Sequence, residues 1–384
     1  MAEVLHERLQ WMAKQVGFDA IGATTADPFP ELVPRLQDYE KRGRTGFEHA
    51  DIGARVDPKI WFPPAKSLIS VAMAYLTAEG RQLARSHPRQ GLHGQVTVYS
   101  YGEDYHTVMA ERMRTLVSLL EQELGRGIQS KLAIDTAPLV DRRVAERAGL
   151  GWVGKNCMFY TPQHGSFVFL GTLAVDVEVE SATAEEHPRC GSCTLCLDAC
   201  PTGALVAPGV IDATRCLSYI TQMKGVIPRD YRAAMGKRVW GCDTCQWACP
   251  ENRGVLPAPH GEYLPSLPAG ELEFPDLVEV LMWTNKSFAQ RYGHTAAAWR
   301  GVRTWQRNAL IALGNTRQED AVRFVIPFLT HDRQELRISA AWALGRIGGE
   351  AASGALKKAL NIETDDEVLA ELRFAVEEGE AQWQ

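Results

Sequence analysis

The chain has 384 residues, too many for one ordinary core, so two or three domains are expected. Hydrophobic residues make up 45% and charged residues 23%, the balance of an ordinary globular protein. The formal net charge of −6 gives no global basic signature for nucleic acid, so a polyanionic partner would need a local basic patch.

The opening MAEVLHERLQWMAKQVGFDA has no basic region ahead of an apolar run and no twin-arginine signal. No apolar stretch of roughly eighteen residues occurs either, so no membrane span is expected and the chain is read as cytoplasmic. Within HERLQWMAKQVGF, Leu9, Met12 and Val16 fall on one helical face. AKSLISVAMAY and FVFLGTLAVDVEV are apolar, β-rich runs suited to buried strands. TVMAERMRTLVSLLEQEL between them has strong amphipathic helical spacing. KLAIDTAPLVDRRVAERAGLG predicts a strand, a turn at Thr136–Pro138, and a helix closed by Gly149 and Gly151.

The polar VESATAEEHP is expected to lead into the cysteine-rich region, and the Pro-rich VLPAPHGEYLPSLPAGELEFP to lead out of it. The remainder has helical character. RNALIALGNTRQEDAVRFVIPFL and RISAAWALGRIGGEAASGALKKAL share an Ala/Leu helix, a Gly-containing turn and a second helix, offset by about thirty residues. The repeat suggests a short α-solenoid of the HEAT kind, with a plain helical bundle as the alternative.

Eight of the nine cysteines lie between Cys190 and Cys249. In a reducing compartment such density points to metal or catalysis rather than disulfides. Cys190, Cys193, Cys196 and Cys200 form C-x2-C-x2-C-x3-C followed by Pro201, the bacterial ferredoxin run, whose fourth cysteine serves the other cluster of a pair. Cys242, Cys245 and Cys249, followed by Pro250, repeat its last three positions, and Cys216 can supply the missing one. This assigns Cys190, Cys193, Cys196 and Cys249 to one 4Fe–4S cluster, and Cys200, Cys216, Cys242 and Cys245 to a second. Zinc is the competing reading, but zinc sites favour separated C-x2-C pairs over a tight run of three. Cys157, in the apolar KNCMFY, is read as a buried small hydrophobe.

Two adjacent clusters move single electrons, and the 180 or so residues before them are expected to hold the acceptor. No G-x-G-x-x-G follows a strand, and neither C-x-x-C-H nor D-x-H-x-x-G occurs, so dinucleotide, covalent haem and histidine-held cobalamin lack their usual motifs.

RVDPKIWFPPAKSLISVAMAY, YGEDYH, AIDTAPLVDRRVAERAGLGWVGKN, GSFVFLGTL, the two cysteine runs and RNALIALGN together resemble the epoxyqueuosine reductases, in order and over nearly the whole chain. That family is related to the reductive dehalogenases. The resemblance implies a multi-domain α+β/α fold: an α/β cobalamin-binding domain over 1–180, a bacterial ferredoxin-like two-cluster domain over 181–260, a Pro-rich connector and helix over 261–300, and C-terminal α-helical HEAT-like repeats over 301–384. It implies cobalamin and two 4Fe–4S clusters as cofactors, and a monomer fed by an external flavodoxin- or ferredoxin-type donor. The implied substrate is tRNA with a GUN anticodon carrying epoxyqueuosine, whose epoxide is reduced to the alkene of queuosine at the wobble position.

Such a reduction needs a proton donor beside the departing oxygen. Asp135, where KLAI ends and the chain turns, matches the family's proton-donating aspartate and is also counted among the cobalamin contacts. From the residues alone, an Asp before Thr-Ala-Pro is equally an Asx-turn or helix cap. The resemblance further assigns Arg55, Asn156, Ser166, Leu170 and Ser218 to cobalamin. Tyr105 and His106 either line the pocket or start the helix after it, and His106 is not expected to ligate cobalt.

For tRNA, residues 224–238 carry five basic side chains and one acidic, and residues 291–307 four Arg and no acid. Such runs suit phosphate contacts, or else form solvated helix faces. The expected tRNA contacts are Arg142, Lys224, Arg303 and Arg307, with Trp240, Trp247, Trp299 and Trp305 as candidates for stacking on an unpaired base.

Overall fold

The computed structural model describes residues 2–86, 91–182, 190–266 and 268–381. Most of VESATAEEHP lies outside the described residues. The chain divides into two compact units: Met1–Arg81, Glu103–Thr214 and Asp243–Leu264 form the first; Gln82–Gly102, Arg215–Cys242 and Pro265–Gln384 form the second. Among the described residues no helix is long and apolar enough to cross a membrane.

The first unit is built on a four-stranded sheet of β1 (Ala20–Thr25), β2 (Ser67–Ala74), β3 (Ser130–Ala133) and β4 (Val168–Val175). Their spatial order is β1-β2-β4-β3, and every neighbouring pair is antiparallel. The register places Ser70 and Ala133 on either side of Thr172. All eight residues of β2 are buried, because helices cover both faces of the sheet. The helix α3 (Tyr105–Leu124) lays Met109, Met113, Leu116 and Leu120 inward. A side chain at Gly171 would meet Met113 and Met109 of that helix, whereas Thr172, pointing to the opposite face, bonds Asp141 at the start of α4 (Asp141–Arg147). Two further helices, α1 (His6–Val16) and α2 (Val33–Arg42), belong to this unit, with Leu9 and Met12 of α1 buried as their spacing predicts.

The second unit is mostly helical. It holds α5 (Val302–Thr316), α6 (Gln334–Ile347), α7 (Glu350–Leu360) and α8 (Asp366–Ala381). The segment expected as the second helix of the first repeat is broken into short helical pieces between Glu319 and Thr330, with Pro327 inside the last. The repeat shows itself in two glycines. A Cβ on Gly314 of α5 would lie 2.8 Å from the Cα of Ala343 on α6, and one on Gly345 of α6 would lie 2.7 Å from the Cα of Ala375 on α8. The same position in successive repeats thus lets the next helix approach at backbone distance.

Trp240 and Trp305 are fully buried in this unit's core, with ring centroids 5.9 Å apart, so neither is available to a base. Arg307 is likewise buried, which corrects its assignment to a tRNA contact. Its guanidinium donates to the carbonyls of Met223 and Gly225 at 2.7 Å each and to the side chain of Asn308. Burial pulls its pKa down to about 10. The basic run 224–238 is also largely spent internally: Arg229 and buried Arg232 both pair with Glu371, at 2.6 and 3.0 Å. Only tertiary packing distinguishes these side chains from a solvated stripe.

Candidate active site

The first unit encloses a cavity of about 1110 Å³, open on one side and larger than the roughly 300–1,000 Å³ usual for drug-sized ligands. Leu139, Met158, Val168, Phe169 and Leu170 supply apolar wall, and Arg55, Tyr105, Asp135, Asp141 and Arg142 supply polar wall.

Asp135 stands just beyond β3 in the left-handed conformation, φ 59°, which Asp tolerates better than most residues. Its carboxyl is open to the cavity and accepts a hydrogen bond from the Tyr105 hydroxyl at 3.0 Å. Tyr105 is the first residue of α3, a helix capped by the Asp104 side chain on the His106 N–H. Its ring lies flat on Phe169, with centroids 4.1 Å and planes 8° apart. The helix cap and the stack together hold the phenol. His106 stacks on the Tyr105 ring and bonds Asp104 at 2.7 Å, and it is not among the residues lining the cavity.

Cys157 is the second left-handed non-glycine residue of the wall, φ 62°. It is buried as expected, and burial pushes its thiol up. Arg142 donates to its carbonyl, which places Arg142 at this cavity.

Asp141 was not singled out from the sequence. It lines the cavity and accepts a hydrogen bond from the Thr172 hydroxyl at 2.7 Å. Burial pushes its carboxyl up to about 7, with the neighbouring charge of Asp135 adding; Thr172 and Arg142 act the other way.

Arg55 sits in the cavity wall, and its Nη1 is buried without a hydrogen-bond partner. Desolvation lowers its pKa, opposed by Glu48 and Tyr39. Ser166 is 1% exposed and faces the cavity at the end of a buried polar network. Its hydroxyl accepts from Gln246 at 3.1 Å and from Asn252 at 2.9 Å, and its N–H donates to Asn252 at 2.8 Å. Asn156 is buried and is not among the lining residues. It donates to the Tyr160 hydroxyl at 2.8 Å and to the Cys245 carbonyl at 3.4 Å, so it supports the wall from behind. Ser218 belongs to the second unit, where its carbonyl accepts from Gln222 at 2.9 Å.

The cysteines of the first expected cluster all lie in this unit. Cys193 donates its N–H to the Cys190 carbonyl at 2.9 Å, and Lys155 clamps the turn through the carbonyls of Gly191 and Cys193 at 2.6 and 3.0 Å. The short helices Leu195–Asp198 and Thr244–Ala248 pack together, the first carrying Cys196 and the second ending at Cys249. Burial pushes the Cys196 thiol up, and the neighbouring Cys249 and Cys190 add to it. Tyr160 is 1% exposed and hydrogen-bonds Cys249; burial, then Cys249, push its phenol up. Against the burial that would raise it, the backbone N–H groups of Leu205, Thr202 and Ala204 hold the Cys200 thiol below its usual range. Cys190 and Gly191 line the cavity itself, so the first cluster's cysteine run reaches its wall. Cys216 and Cys242 belong to the second unit, Cys216 at the start of the helix Leu217–Ile220. All nine cysteines are free of disulfides.

Of the expected tRNA contacts in the second unit, Lys224 and Arg303 are exposed. Arg303 lines a hollow of about 690 Å³ with Gln306, His331 and Arg333. Trp299 is 55% exposed, with the Arg300 guanidinium over its ring at 3.7 Å. In the first unit, Trp247 packs on Phe167 at 5.1 Å.

A large cavity that the first cysteine of a ferredoxin-type run reaches, with an exposed acid in its wall, defines an iron–sulfur oxidoreductase. Residues 189–252 match the 4Fe–4S double cluster binding domain, residues 303–377 match HEAT repeats, and residues 55–136 match the model described as epoxyqueuosine reductase QueG. An epoxyqueuosine reductase of Bacillus subtilis is 41% identical over 375 residues, covering 97% of this chain and 95% of its own. Two solved structures are each 40% identical and cover 97% of this chain and 98% of their own. One is an epoxyqueuosine reductase with an epoxyqueuosine-modified tRNA-Tyr stem loop, TM-score 0.90; the other is from Bacillus subtilis with an aspartate-bearing catalytic loop swung out of the active site, TM-score 0.89. The chain belongs to the epoxyqueuosine reductase family.

Proposed function

We propose that this enzyme reduces the epoxide of epoxyqueuosine to the alkene of queuosine at the wobble position of tRNA with a GUN anticodon, with cobalamin in the cavity and Asp135 as proton donor. The observation that carries this reading is the single cavity shared by the Asp135–Tyr105 pair and the Cys190 end of the ferredoxin run. The modified tRNA stem loop bound by a relative of 40% identity supports the substrate, and the mobile aspartate-bearing loop of another supports Asp135.

The cavity suits a corrin. It is large, its wall is partly apolar, and two of its arginines present a buried guanidinium nitrogen without a hydrogen-bond partner, Arg55 Nη1 and Arg42 Nε. Arg55, Ser166 and Leu170 would hold the group from the wall. When bound, cobalamin would supply a strong low-potential reductant, and two 4Fe–4S clusters, the first on Cys190, Cys193, Cys196 and Cys249, would supply its electrons singly. Asp135 gives a proton to the departing oxygen, and Tyr105 orients that carboxyl. Lys224 and Arg303 contact phosphate. An external flavodoxin- or ferredoxin-type protein feeds the clusters.

The test is anaerobic reconstitution of both clusters, addition of cobalamin and a reductant, and nucleoside mass analysis of epoxyqueuosine-containing tRNA. Conversion that requires cobalamin and disappears in Asp135→Asn is expected. No conversion by protein that retains reducible cobalamin would refute the substrate.

A further inference from the structure

Reducing an epoxide to an alkene breaks both C–O bonds, forms a C=C bond and releases the oxygen as water. The balance is two electrons and two protons per turnover. The electrons come from the external donor through the cofactors, whereas a single Asp135 carboxyl holds only one proton.

Asp141 is the second acid on the same cavity wall. It is fixed from below by the hydroxyl of Thr172, which is fully buried in β4. Ser70, the cross-strand neighbour of Thr172 on β2, is also fully buried, and its hydroxyl has no partner. Arg142 and Arg143 follow Asp141 on α4; Arg142 reaches the Cys157 carbonyl and Arg143 pairs with Glu146. Both guanidiniums are thus bonded to other partners, although the Arg142 charge still pulls the Asp141 carboxyl down. Asp135 and Asp141 line the same cavity, and the charge of Asp135 adds to the upward push on the Asp141 carboxyl. A like charge on the same wall favours the protonated form of Asp141.

Resting on the proton-donor reading of Asp135, we propose that Asp141 is the proton reservoir of this site, a positioning residue that recharges the Asp135 carboxylate within a turnover. Asp135 faces the cavity and delivers; Asp141, anchored by Thr172, holds the second proton and passes it on directly or through one water. The relay from Asp141 through Asp135 to a departing alkoxide is downhill overall because an alkoxide is a far stronger base than either carboxylate. The burial that holds Asp141 protonated to about pH 7 is consistent with this role.

Infrared titration of the full-length, cofactor-loaded protein tests this without substrate. A protonated-carboxyl stretch titrating near pH 7 is expected, absent in Asp141→Asn and displaced to lower pH in Asp135→Asn, where the neighbouring charge is gone. Thr172→Val removes a hydrogen bond to the carboxylate and should displace it to higher pH. In turnover, Asp141→Asn should lower kcat about tenfold with KM unchanged and erase the loss of activity above neutral pH, and Asp141→Glu should restore part of it. A band unchanged in Asp141→Asn, or a kcat and pH profile indifferent to both Asp141→Asn and Thr172→Val, overturns the proposal. The infrared result stands whatever the substrate proves to be.

Discussion

The Tyr105 hydroxyl donates to the Asp135 carboxylate at 3.0 Å, and the two residues come from opposite ends of a 30-residue separation. One is the first residue of a long helix; the other is held at positive φ just past an edge strand. Tyr105→Phe keeps the stack on Phe169 and removes only this bond. A hydrogen bond to a charged group contributes about 1.5–3 kcal/mol, so kcat is expected to fall by roughly ten- to a hundredfold with substrate affinity preserved. Steady-state kinetics would show no change if the phenol merely packs.

Tyr160 bonds Cys249, one of the first cluster's expected ligands. A hydrogen bond to a cluster sulfur stabilises the more negative, reduced form and raises the potential. Tyr160→Phe should therefore lower that cluster's midpoint. Redox titration followed by electron paramagnetic resonance checks it, and an unchanged midpoint would sink the assignment.

Arg307 ties the 220–225 segment to α5 through carbonyls. Arg307→Ala leaves those buried acceptors unpaired, at about 1–3 kcal/mol each. A stability loss of several kcal/mol is expected in denaturant unfolding. The affinity of the remaining folded fraction for tRNA should be close to that of the parent, because this side chain does not face solvent.

Lys224 and Arg303 are expected to act on phosphate. Alanine at either position should weaken tRNA binding uniformly across sequences and reduce the salt slope by about one contact. Equal salt slopes for parent and variant would remove that residue from the interface.

The stability of the fold should also depend on Asp141. Its folded-state pKa, about 7, is raised above the unfolded value, so the folded state holds the extra proton between about pH 4 and 7. Stability from this group is full below the unfolded value and is lost as pH rises through 7, by something on the order of 4 kcal/mol at about 1.4 kcal/mol per unit. Asp141→Asn should flatten this decline in urea unfolding curves measured across that range.

Much of this protein is readable in one dimension because its strongest signals are local. The C-x2-C-x2-C-x3-C-P spacing is set by the bond lengths around a cluster, so eight cysteines declare their chemistry before any folding is considered. The apolar runs of β2 and β4 and the spacing of Leu9 and Met12 on α1 are equally local, as is the turn after KLAI that carries Asp135.

Tertiary structure decided what each charged or aromatic side chain does. Arg303 and Arg307 stand four residues apart in one basic run, yet Arg303 is exposed and Arg307 is buried against backbone carbonyls. Asp135 and Asp141 sit in the same stretch, but only the pairing of β3 and β4, which sets Thr172 beneath α4, half-buries the second and leaves the first exposed at the cavity. Composition and spacing determined the metal chemistry and the element types, because those depend on neighbours along the chain. Burial and acidity depend on which distant atoms remove water from a side chain, and that is decided only when the sheet closes and the helices pack upon it.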